Sequence, residues 1–347
     1  MNKKIVFFNH KGGVSKTTTA FNLGWKIAEK GYKVLLVDAD PQCNLTSLIL
    51  NDRFEQYYTD EATKLNNIKD GVKVAFEAKP QEISAITCPV ADRNGNLFLL
   101  PGHANLSEYD AALSFAQNSN NAIATLQNLP GAFNALISKT AAKYQADFVF
   151  IDLNPGLSAI NQNLFVLSDY FIIPTNPDPF SIMAINTLVS ILPRWVDWVE
   201  RMRDAFRDAS YPLPETTPKM LGTLIQRFNV RNGRPAKPYR ENIAEINDVV
   251  ISKLVPALSA KKMVLPAEAY STAHVEQTLC LAEIPDFQGL LPKASVAGVP
   301  VFALQDTEIH ETGPILAGMM EKRNSVNELF ESLSEKVIAL CNYAPSI

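Results

Sequence analysis

The sequence predicts an α/β fold: a doubly wound, mostly parallel twisted sheet with helices on both faces. Short apolar runs recur along the 347 residues, and segments able to form helices separate most of them. Runs that are apolar throughout are typical of strands buried on both faces in a parallel sheet. A glycine-rich stretch also joins the first run to the first helical pattern, in the order strand, turn, helix. The predicted strands are Ile5–Phe8, Val34–Val37, Leu97–Leu100, Phe148–Ile151, Phe171–Ile173 and Met220–Ile225.

The first helix is predicted from about Thr17 to Lys30, because Gly31 is a natural stop. Its apolar residues recur at helical spacing, which places them together on one buried face. They are Ala20, Leu23, Ile27 and Ala28.

The chain is predicted to form a single domain over residues 1–347, because no internal repeat or low-complexity tract divides it. Two spans look like insertions, at about 51–96 and about 192–218. The first is polar and mixed and ends in a predicted hairpin turn at Asp92–Asn96. The second carries aromatic residues at helical spacing before a proline-rich connection. Apolar residues at helical spacing also predict a C-terminal docking helix at about 324–342.

Composition narrows the possible partners and compartments. The formal net charge of −4 excludes a molecule that is basic as a whole, so nucleic-acid binding would need a local patch. The four cysteines are scattered, which suits a reducing compartment and gives no metal framework. The N-terminus enters a strand almost at once, so we expect no signal peptide. No apolar run approaches the roughly 18 residues of a membrane span. We therefore expect a soluble cytoplasmic protein.

The stretch Asn9–Thr18 is the most informative part of the sequence. Its glycines and the helix that it opens can present backbone N–H groups to anionic phosphate oxygens. Lys16 can reach the β- and γ-phosphates of a nucleotide, and Thr17 can offer its hydroxyl to Mg²⁺. An ordinary phosphate loop reads G-x-x-x-x-G-K-[ST]. Here the first glycine is absent and a second lysine, Lys11, stands just before a glycine pair.

Carboxylates follow two of the predicted strands. Asp38 and Asp40 come at the end of the run V-L-L-V-D-A-D-P-Q, and Asp152 follows an apolar strand in the manner of a Walker B aspartate. Ligands of open α/β sheets bind beyond the carboxyl ends of the strands, so these acids should lie near the phosphates. Carboxylates beside a triphosphate are unfavourable unless Mg²⁺ or a water lies between them. The sequence therefore predicts a magnesium–nucleotide site.

The order K-G-G-x-x-K-T-T, then D-x-D-P-Q, then an apolar strand with D-x-x-P resembles the ParA/MinD family of deviant Walker A ATPases. It is most similar to ParA-type partition ATPases, including McdA-like relatives that position carboxysomes. The resemblance covers most of the chain. It implies a P-loop ATPase with ATP and Mg²⁺ as cofactors, which hydrolyses ATP slowly without a partner and forms an ATP-sandwich homodimer.

The resemblance implies two kinds of phosphate contact. Lys11 would cross the dimer and contact the nucleotide of the second subunit, while Lys16 and Thr18 would bind phosphates within their own subunit. The implied nucleotide-binding residues are Lys11, Gly12, Gly13, Val14, Ser15, Lys16, Thr17, Thr18 and, by position alone, Gln226.

The resemblance also implies how the metal and the water are held. Thr17 would ligate Mg²⁺, with Asp38 and Asp152 near the metal's water shell. Asp40 would orient the attacking water, since a carboxylate beside Mg²⁺ contributes more by positioning than as a strong base. The implied catalytic residues are Lys11, Lys16 and Asp40.

The sequence departs from the family pattern in two places. Ser15 replaces the glycine that usually precedes the loop lysine, and its Cβ narrows the loop, which we expect to affect turnover more than binding. Leu153-Asn154-Pro155 replaces a more common small-Pro-Pro pattern. Neither change removes a charged catalytic group.

The implied function is the positioning or partitioning of a cargo: a plasmid, a chromosome or a protein body such as a carboxysome. ATP-controlled, non-specific DNA binding would hold the dimer on the nucleoid, and a small cargo-bound adaptor, ParB-like or McdB-like, would stimulate hydrolysis. A basic run without acids is the predicted DNA contact, and a solvated loop is the alternative of equal weight. The run comprises Arg227, Arg231, Arg234, Lys237 and Arg240.

Two other functions fit the same ATPase class less well. A MinD-like membrane-cycling regulator needs a basic amphipathic C-terminal helix, whereas Glu328, Glu331 and Glu335 outnumber Lys336 here. We therefore expect no membrane partner. A metabolic relative, such as an ATP-driven reductase or iron–sulfur carrier, needs clustered cysteines, which this sequence lacks.

Overall fold

The fold is built on one sheet of eight strands, in a computed structural model that describes residues 2–118, 126–231 and 234–344. The sheet strands are β1 (Lys3–Phe7), β2 (Val34–Ala39), β3 (Val90–Ala91), β4 (Asn94–Leu100), β5 (Phe148–Leu153), β6 (Tyr170–Thr175), β7 (Lys219–Gln226) and β10 (Cys280–Ile284). A separate hairpin consists of β8 (Val230–Arg231) and β9 (Arg234–Pro235). The order across the sheet is β10-β7-β6-β1-β5-β2-β4-β3, and every pairing is parallel except that of β4 with β3 at the edge.

Helices join most of the strands. Those of the first half are α1 (Lys16–Glu29), α2 (Asn44–Leu50), α3 (Phe54–Thr59), α4 (Ile68–Phe76), α5 (Asp110–Asn118), α6 (Leu129–Tyr144) and α7 (Ala159–Val166). Those of the second half are α8 (Pro179–Ala205), α9 (Lys237–Val249), α10 (Val255–Ser259), α11 (Ala267–Thr272), α12 (Leu290–Ala297), α13 (Asp306–Ile309) and α14 (Gly313–Asn342). A π-helical segment, Val250–Leu254, continues α9 into α10.

Both faces of the sheet are covered. Alternate residues of a strand point to opposite faces, so Val6 packs on one side of β1 while Ile5 and Phe7 pack on the other. The side of Val6 carries α4 to α9, and the side of Ile5 carries α1, α11, α12 and α14. The predicted doubly wound α/β fold is therefore confirmed.

The elements predicted from apolar runs are present with small shifts at their ends. All six predicted strands exist, and α1 is displaced by one residue from its predicted bounds. The predicted hairpin turn joins β3 to β4, where Ala91 pairs with Asn94. The strand β10 was not predicted, because it is short and mixes polar with apolar residues. That composition is typical of an edge strand, and β10 pairs only with β7.

The two predicted insertions have different structures. Residues 51–96 contain α3, α4 and the β3–β4 turn. Residues from 192 onward continue α8 without a break as far as Ala205, and Pro193 lies within this helix. No boundary therefore falls at 192, and only the connection 206–218 lies outside regular structure. The division of the chain into domains stays a prediction.

The C-terminal helix packs on the sheet layer rather than standing free. It begins at Gly313, earlier than predicted, and its apolar face is buried against α1 and β10. Phe330 is fully buried, with ring centroids 6.3 Å from Phe287 and 5.7 Å from Phe302. At the rim of this contact Lys30 forms an ion pair with Glu331.

Among the residues that the structure describes, one helix meets the length and composition of a membrane span. This is α8, so the expectation that no apolar run approaches that length was wrong. However, its apolar residues Ile185, Leu188 and Leu192 are fully buried against the sheet. A core helix of a folded domain passes the same test, so the length of α8 is weak evidence for a membrane.

Candidate nucleotide-binding site

The phosphate loop lies at the carboxyl end of β1, in the middle of the sheet. It runs from Phe8 to Ser15 and leads directly into α1. Lys16, the first residue of that helix, is buried, and its Nζ donates to the carbonyl oxygens of Asn9 at 3.1 Å and Lys11 at 3.4 Å. Burial lowers the pKa of Lys16, an effect that the carboxylates of Asp152 and Asp40 oppose. The loop thus folds around the ammonium group of Lys16, which points toward the centre of the loop.

The backbone of this loop includes an unusual serine. Ser15 adopts the left-handed region with φ of 58°, and Gly13 also has a positive φ of 71°. Glycine adopts this region freely, whereas a residue with a Cβ is strained there. The departure noted in the sequence therefore falls at a position where the backbone favours glycine.

The predicted carboxylates meet at adjacent strand ends. Asp38 of β2 and Asp152 of β5 are partners in the sheet register, and Asp152 also pairs with Phe7 of β1 just before the loop. Both acids are fully buried, and Asp40 is nearly so. Separated by more than a hundred residues in sequence, the two acids are brought together by the strand order.

Asp38 and Asp152 differ in the number of hydrogen bonds that their carboxylate oxygens accept. Asp38 Oδ2 accepts hydrogen bonds from the Thr46 backbone N–H at 2.8 Å and the Thr46 hydroxyl at 2.6 Å, and Oδ1 accepts from the Asp40 N–H at 3.2 Å. Burial raises the pKa of Asp38 to about 6, although these hydrogen bonds oppose the shift. Neither oxygen of Asp152 accepts a hydrogen bond from the part of the chain that the structure describes.

An unpaired buried carboxylate needs a counter-charge. Burial raises the pKa of Asp152, and repulsion from Asp38 adds to the rise, while the Thr17 hydroxyl and Lys16 oppose it. A hydroxyl and a carboxylate beside a phosphate cradle match Mg²⁺, which is bound by few protein oxygens and keeps several waters. No cluster of three or more His, Cys, Asp or Glu exists among the described residues to bind a metal alone. The residues present thus fit Mg²⁺ held by Thr17 and Asp152. Asp38 already accepts hydrogen bonds from Thr46, and its place near the metal's water shell stays a prediction.

Lys11, at the mouth of the loop, forms an ion pair within its own subunit. Its Nζ lies 2.7 Å and 2.5 Å from the two carboxylate oxygens of Asp178 and 3.0 Å from the Ser181 hydroxyl oxygen. Asp178 also caps α8 by accepting a hydrogen bond from the Ser181 N–H. The pair is partly exposed, so Lys11 can leave it without unpacking the core.

The end of β7 closes the other side of the loop. Gln226 is buried, donates to the Val14 carbonyl oxygen at 3.2 Å and accepts from the Thr19 hydroxyl at 2.7 Å. A small cavity opens beside it, and an adenine contact by Gln226 stays a prediction. Its lining includes Ser15, Thr18, Arg227, Pro285, Asp286 and Phe287. The last three were missed because they follow β10, which the sequence pattern did not show.

The basic run is divided by the fold. Arg227 Nη1 donates to the Gly13 carbonyl oxygen at 3.0 Å, so the side chain of this arginine contacts the phosphate loop. Arg234, Lys237 and Arg240 are exposed on β9 and the start of α9. Arg231 lies on β8 in the hairpin that joins the two parts. An acid also joins the run, since Glu241 lies 4.0 Å from Lys237.

Comparison with protein families identifies this arrangement. A profile described as an AAA domain matches residues 2–200, more than half of the chain, and includes both the phosphate loop and Asp152. The chain belongs to this family. An uncharacterized protein of Methanocaldococcus jannaschii is 31% identical over 229 residues, which are 66% of this chain and 74% of that protein.

Relatives of known role show which branch of the family the chain resembles. The chromosome partitioning protein ParA of Caulobacter vibrioides is 27% identical over 248 residues, covering 72% of this chain and 78% of ParA. The ATP complex of a Cyanothece McdA variant has a TM-score of 0.58 at 19% identity, covering 97% of this chain and 96% of McdA, and supports the fold. The resemblance to ParA-type deviant Walker A ATPases is confirmed.

Proposed function

We propose that this AAA-domain protein is a Mg–ATP-dependent, dimerising ATPase that positions a cargo through ATP-controlled DNA binding. The observation that carries the proposal is Lys11. A lysine at the mouth of the loop, held by a partly exposed ion pair with Asp178 and by the Ser181 hydroxyl, can leave these partners to contact a nucleotide in a facing subunit. An ordinary phosphate loop has no such second lysine.

The residues of the site would have separate roles in ATP hydrolysis. The loop N–H groups and Lys16 hold the phosphates, and Thr17 and Asp152 would hold Mg²⁺, which neutralises charge on the phosphate oxygens. Asp40 is oriented by the Gln42 N–H, which donates to its Oδ1 at 2.9 Å, and it positions the attacking water. Lys11 of the facing subunit adds a second positive charge where negative charge develops.

The exposed basic residues at β9 and α9 are the proposed DNA contact. A patch of three cations on a chain of net charge −4 binds DNA weakly, and a homodimer doubles it. ATP-driven dimerisation would therefore switch binding on. The ATP-bound protein would be cytoplasmic and associated with the nucleoid.

The relatives support two candidate cargoes, each with its own adaptor. The Caulobacter relative partitions chromosomes, so a chromosome or plasmid with a ParB-like adaptor is one cargo. A protein body such as a carboxysome with an McdB-like adaptor is the other, because the fold matches McdA along nearly the whole chain. In either case the adaptor would stimulate hydrolysis and release the dimer from DNA.

Dimerisation tests the core of the proposal. Sedimentation velocity with Mg²⁺ and a slowly hydrolysed ATP analogue should show a dimer for the native chain and a monomer for Lys11→Ala. Equal dimerisation of both proteins would contradict the sandwich arrangement. A gel shift of non-specific DNA at low salt, with and without the analogue, tests DNA binding separately.

The membrane-cycling alternative has less support. It requires a free amphipathic helix, whereas the apolar face of α14 is buried. Sedimentation with anionic vesicles in the presence of ATP would revive it if the protein were found in the pellet. The iron–sulfur alternative requires grouped cysteines. The free thiols Cys43, Cys88, Cys280 and Cys341 are instead far apart in the sequence.

A further inference from the structure

Two consecutive side chains at the end of β7 hold two consecutive carbonyl groups of the phosphate loop. Arg227 Nη1 donates to the Gly13 oxygen at 3.0 Å, and Gln226 Nε2 donates to the Val14 oxygen at 3.2 Å. Gln226 is fixed in turn, because its amide oxygen accepts from the Thr19 hydroxyl. The backbone of Arg227 is anchored as well, since its N–H donates to the Ile284 oxygen at 3.0 Å.

These hydrogen bonds determine which way the neighbouring N–H groups point. In a trans peptide the C=O and N–H point in opposite directions. The Gly13 carbonyl shares its peptide with the Val14 N–H, and the Val14 carbonyl shares its peptide with the Ser15 N–H. Neither N–H donates a hydrogen bond within the ranges that the structure covers. Holding the carbonyls from outside thus directs two free donors to the opposite side, where a phosphate would bind.

The same two hydrogen bonds stand next to the strained residue of the loop. Ser15 has a φ of 58°, a conformation that a residue with a Cβ keeps only when its surroundings hold it there. A glycine at this position would need no such support. The Gly13 oxygen has a second donor, Asn176 Nδ2 at 3.1 Å, so residues that follow β6 and β7 both hold this carbonyl.

We propose that Arg227 is a positioning residue of the phosphate loop, which together with Gln226 compensates for the serine at position 15. The inference rests on the nucleotide site of the proposed function, and it moves Arg227 from the DNA contact to the ATP site. Arg227 and Ser15 are then energetically coupled through the peptide groups that lie between them.

The test measures nucleotide affinity with fluorescent mant-ADP and mant-ATP on the full chain. Arg227→Met removes the donor and keeps most of the side chain. It should weaken binding about five- to tenfold, the effect of losing one ordinary hydrogen bond, because Arg227 is exposed to solvent. Ser15→Gly in the Arg227→Met background should restore most of the affinity, because the loop then needs no support. The nucleotide affinity of Arg227→Lys should lie between those of the native chain and Arg227→Met. In steady-state ATPase assays KM should rise while kcat stays unchanged, since the N–H groups bind ground state and transition state alike.

A matched control is Arg207→Met, an exposed arginine at the end of α8 whose partner is Asp204; it should bind nucleotide like the native chain. Thermal melting without nucleotide separates misfolding from a loop defect. Native nucleotide affinity in Arg227→Met, with DNA binding alone reduced, would overturn the proposal in favour of a DNA contact. Failure of Ser15→Gly to restore affinity would overturn the coupling. Failure of the proposed function would instead show as no ATP-dependent DNA shift in the native chain, with these affinities unaffected.

Discussion

Lys11 and Asp178 form an ion pair that spans the mouth of the phosphate loop, with Nζ 2.7 Å and 2.5 Å from the carboxylate oxygens. Asp178 is also the N-cap of α8, so one carboxylate holds both the lysine and the start of a long helix. The lysine implied to act on a facing subunit is therefore held within its own subunit. In the proposed sandwich dimer Lys11 would have to leave this pair, so the pair would oppose dimerisation by a small free energy.

Removing the charge of Asp178 should favour the dimer. Asp178→Asn keeps the size and the capping ability of the side chain and frees Lys11. A partly exposed ion pair contributes about 0.2–1 kcal/mol, and two of them would break per dimer, so the protein concentration for half-dimerisation should fall about two- to thirtyfold. Sedimentation velocity with Mg²⁺ and an ATP analogue measures this concentration. Asp197→Asn on the same helix, which loses an ion pair with Lys261, is the control. An unchanged or weaker dimer in Asp178→Asn would show that the pair does not restrain Lys11.

The sequence located the parts of this site better than their contacts. The phosphate loop and the strand ends carry local patterns, so Lys16 and Asp152 could be predicted from spacing alone. The partner of Lys11 lies 167 residues away, and no local pattern indicates it. The hydrogen bonds that Asp38 accepts from Thr46 likewise depend on how α2 leaves β2, which no local pattern shows. Charge patterning placed Arg227 in the basic run, because it shows neither the backbone φ of 61° at this residue nor the hydrogen bond to the Gly13 oxygen.

Neutralising Asp152 should stabilise the protein without ligand and remove its response to Mg²⁺. Because burial raises the pKa of Asp152, the folded chain binds more protons than the unfolded chain once pH rises above the ordinary value near 4. The free energy of unfolding therefore falls as pH rises from about 4 to the raised pKa of Asp152. Asparagine does not titrate, so Asp152→Asn keeps this stability. Asp152→Asn should melt about 2–4 °C higher than the native chain at pH 8 and equally near pH 4, without nucleotide or metal.

Mg–ATP provides the matching control for this variant. Binding to the folded state alone should raise the melting temperature of the native chain and leave Asp152→Asn nearly unchanged. A stabilisation of the variant that is the same at both pH values, or a full response to Mg–ATP, would contradict the assignment of Asp152.

Adding a methyl group at Gly102 should disturb the support of the acid cluster. A Cβ there would lie 3.0 Å from Asp38 Cγ and 3.1 Å from Cys43 Sγ, both tighter than ordinary contacts. Gly102→Ala should reduce the free energy of unfolding by about 1–3 kcal/mol, as overpacking does. It should also weaken Mg–ATP binding by displacing Asp38. Gly95→Ala is the matched control, because a Cβ there meets no atom within 4 Å. Equal stability of the two variants in urea denaturation would show that the cluster yields to the extra methyl group.

The docking of α14 predicts a large cost for truncating its central aromatic residue. Phe330 is fully buried between Phe287 and Phe302. Phe330→Ala should lower the free energy of unfolding by about 3–5 kcal/mol in urea denaturation. The exposed Glu328→Ala should stay within about 0.5 kcal/mol of the native chain. A small effect of Phe330→Ala would mean that the helix leaves the core easily, which is the behaviour that a membrane-binding helix requires.

The exposed cations of β9 and α9 should set the salt dependence of DNA binding. Each phosphate contact removed reduces the slope of log affinity against log salt by about 1. Arg234→Ala and Lys237→Ala should each weaken ATP-dependent binding of non-specific DNA, and the double variant should reduce the slope by about 2 per subunit. Fluorescence anisotropy with a labelled duplex at several salt concentrations measures both quantities. Lys64→Ala, on the connection after α3, is the control for the loss of one positive charge. If the three single variants changed the slope equally, binding would depend on net charge rather than on this patch, and the solvated-loop alternative would be correct.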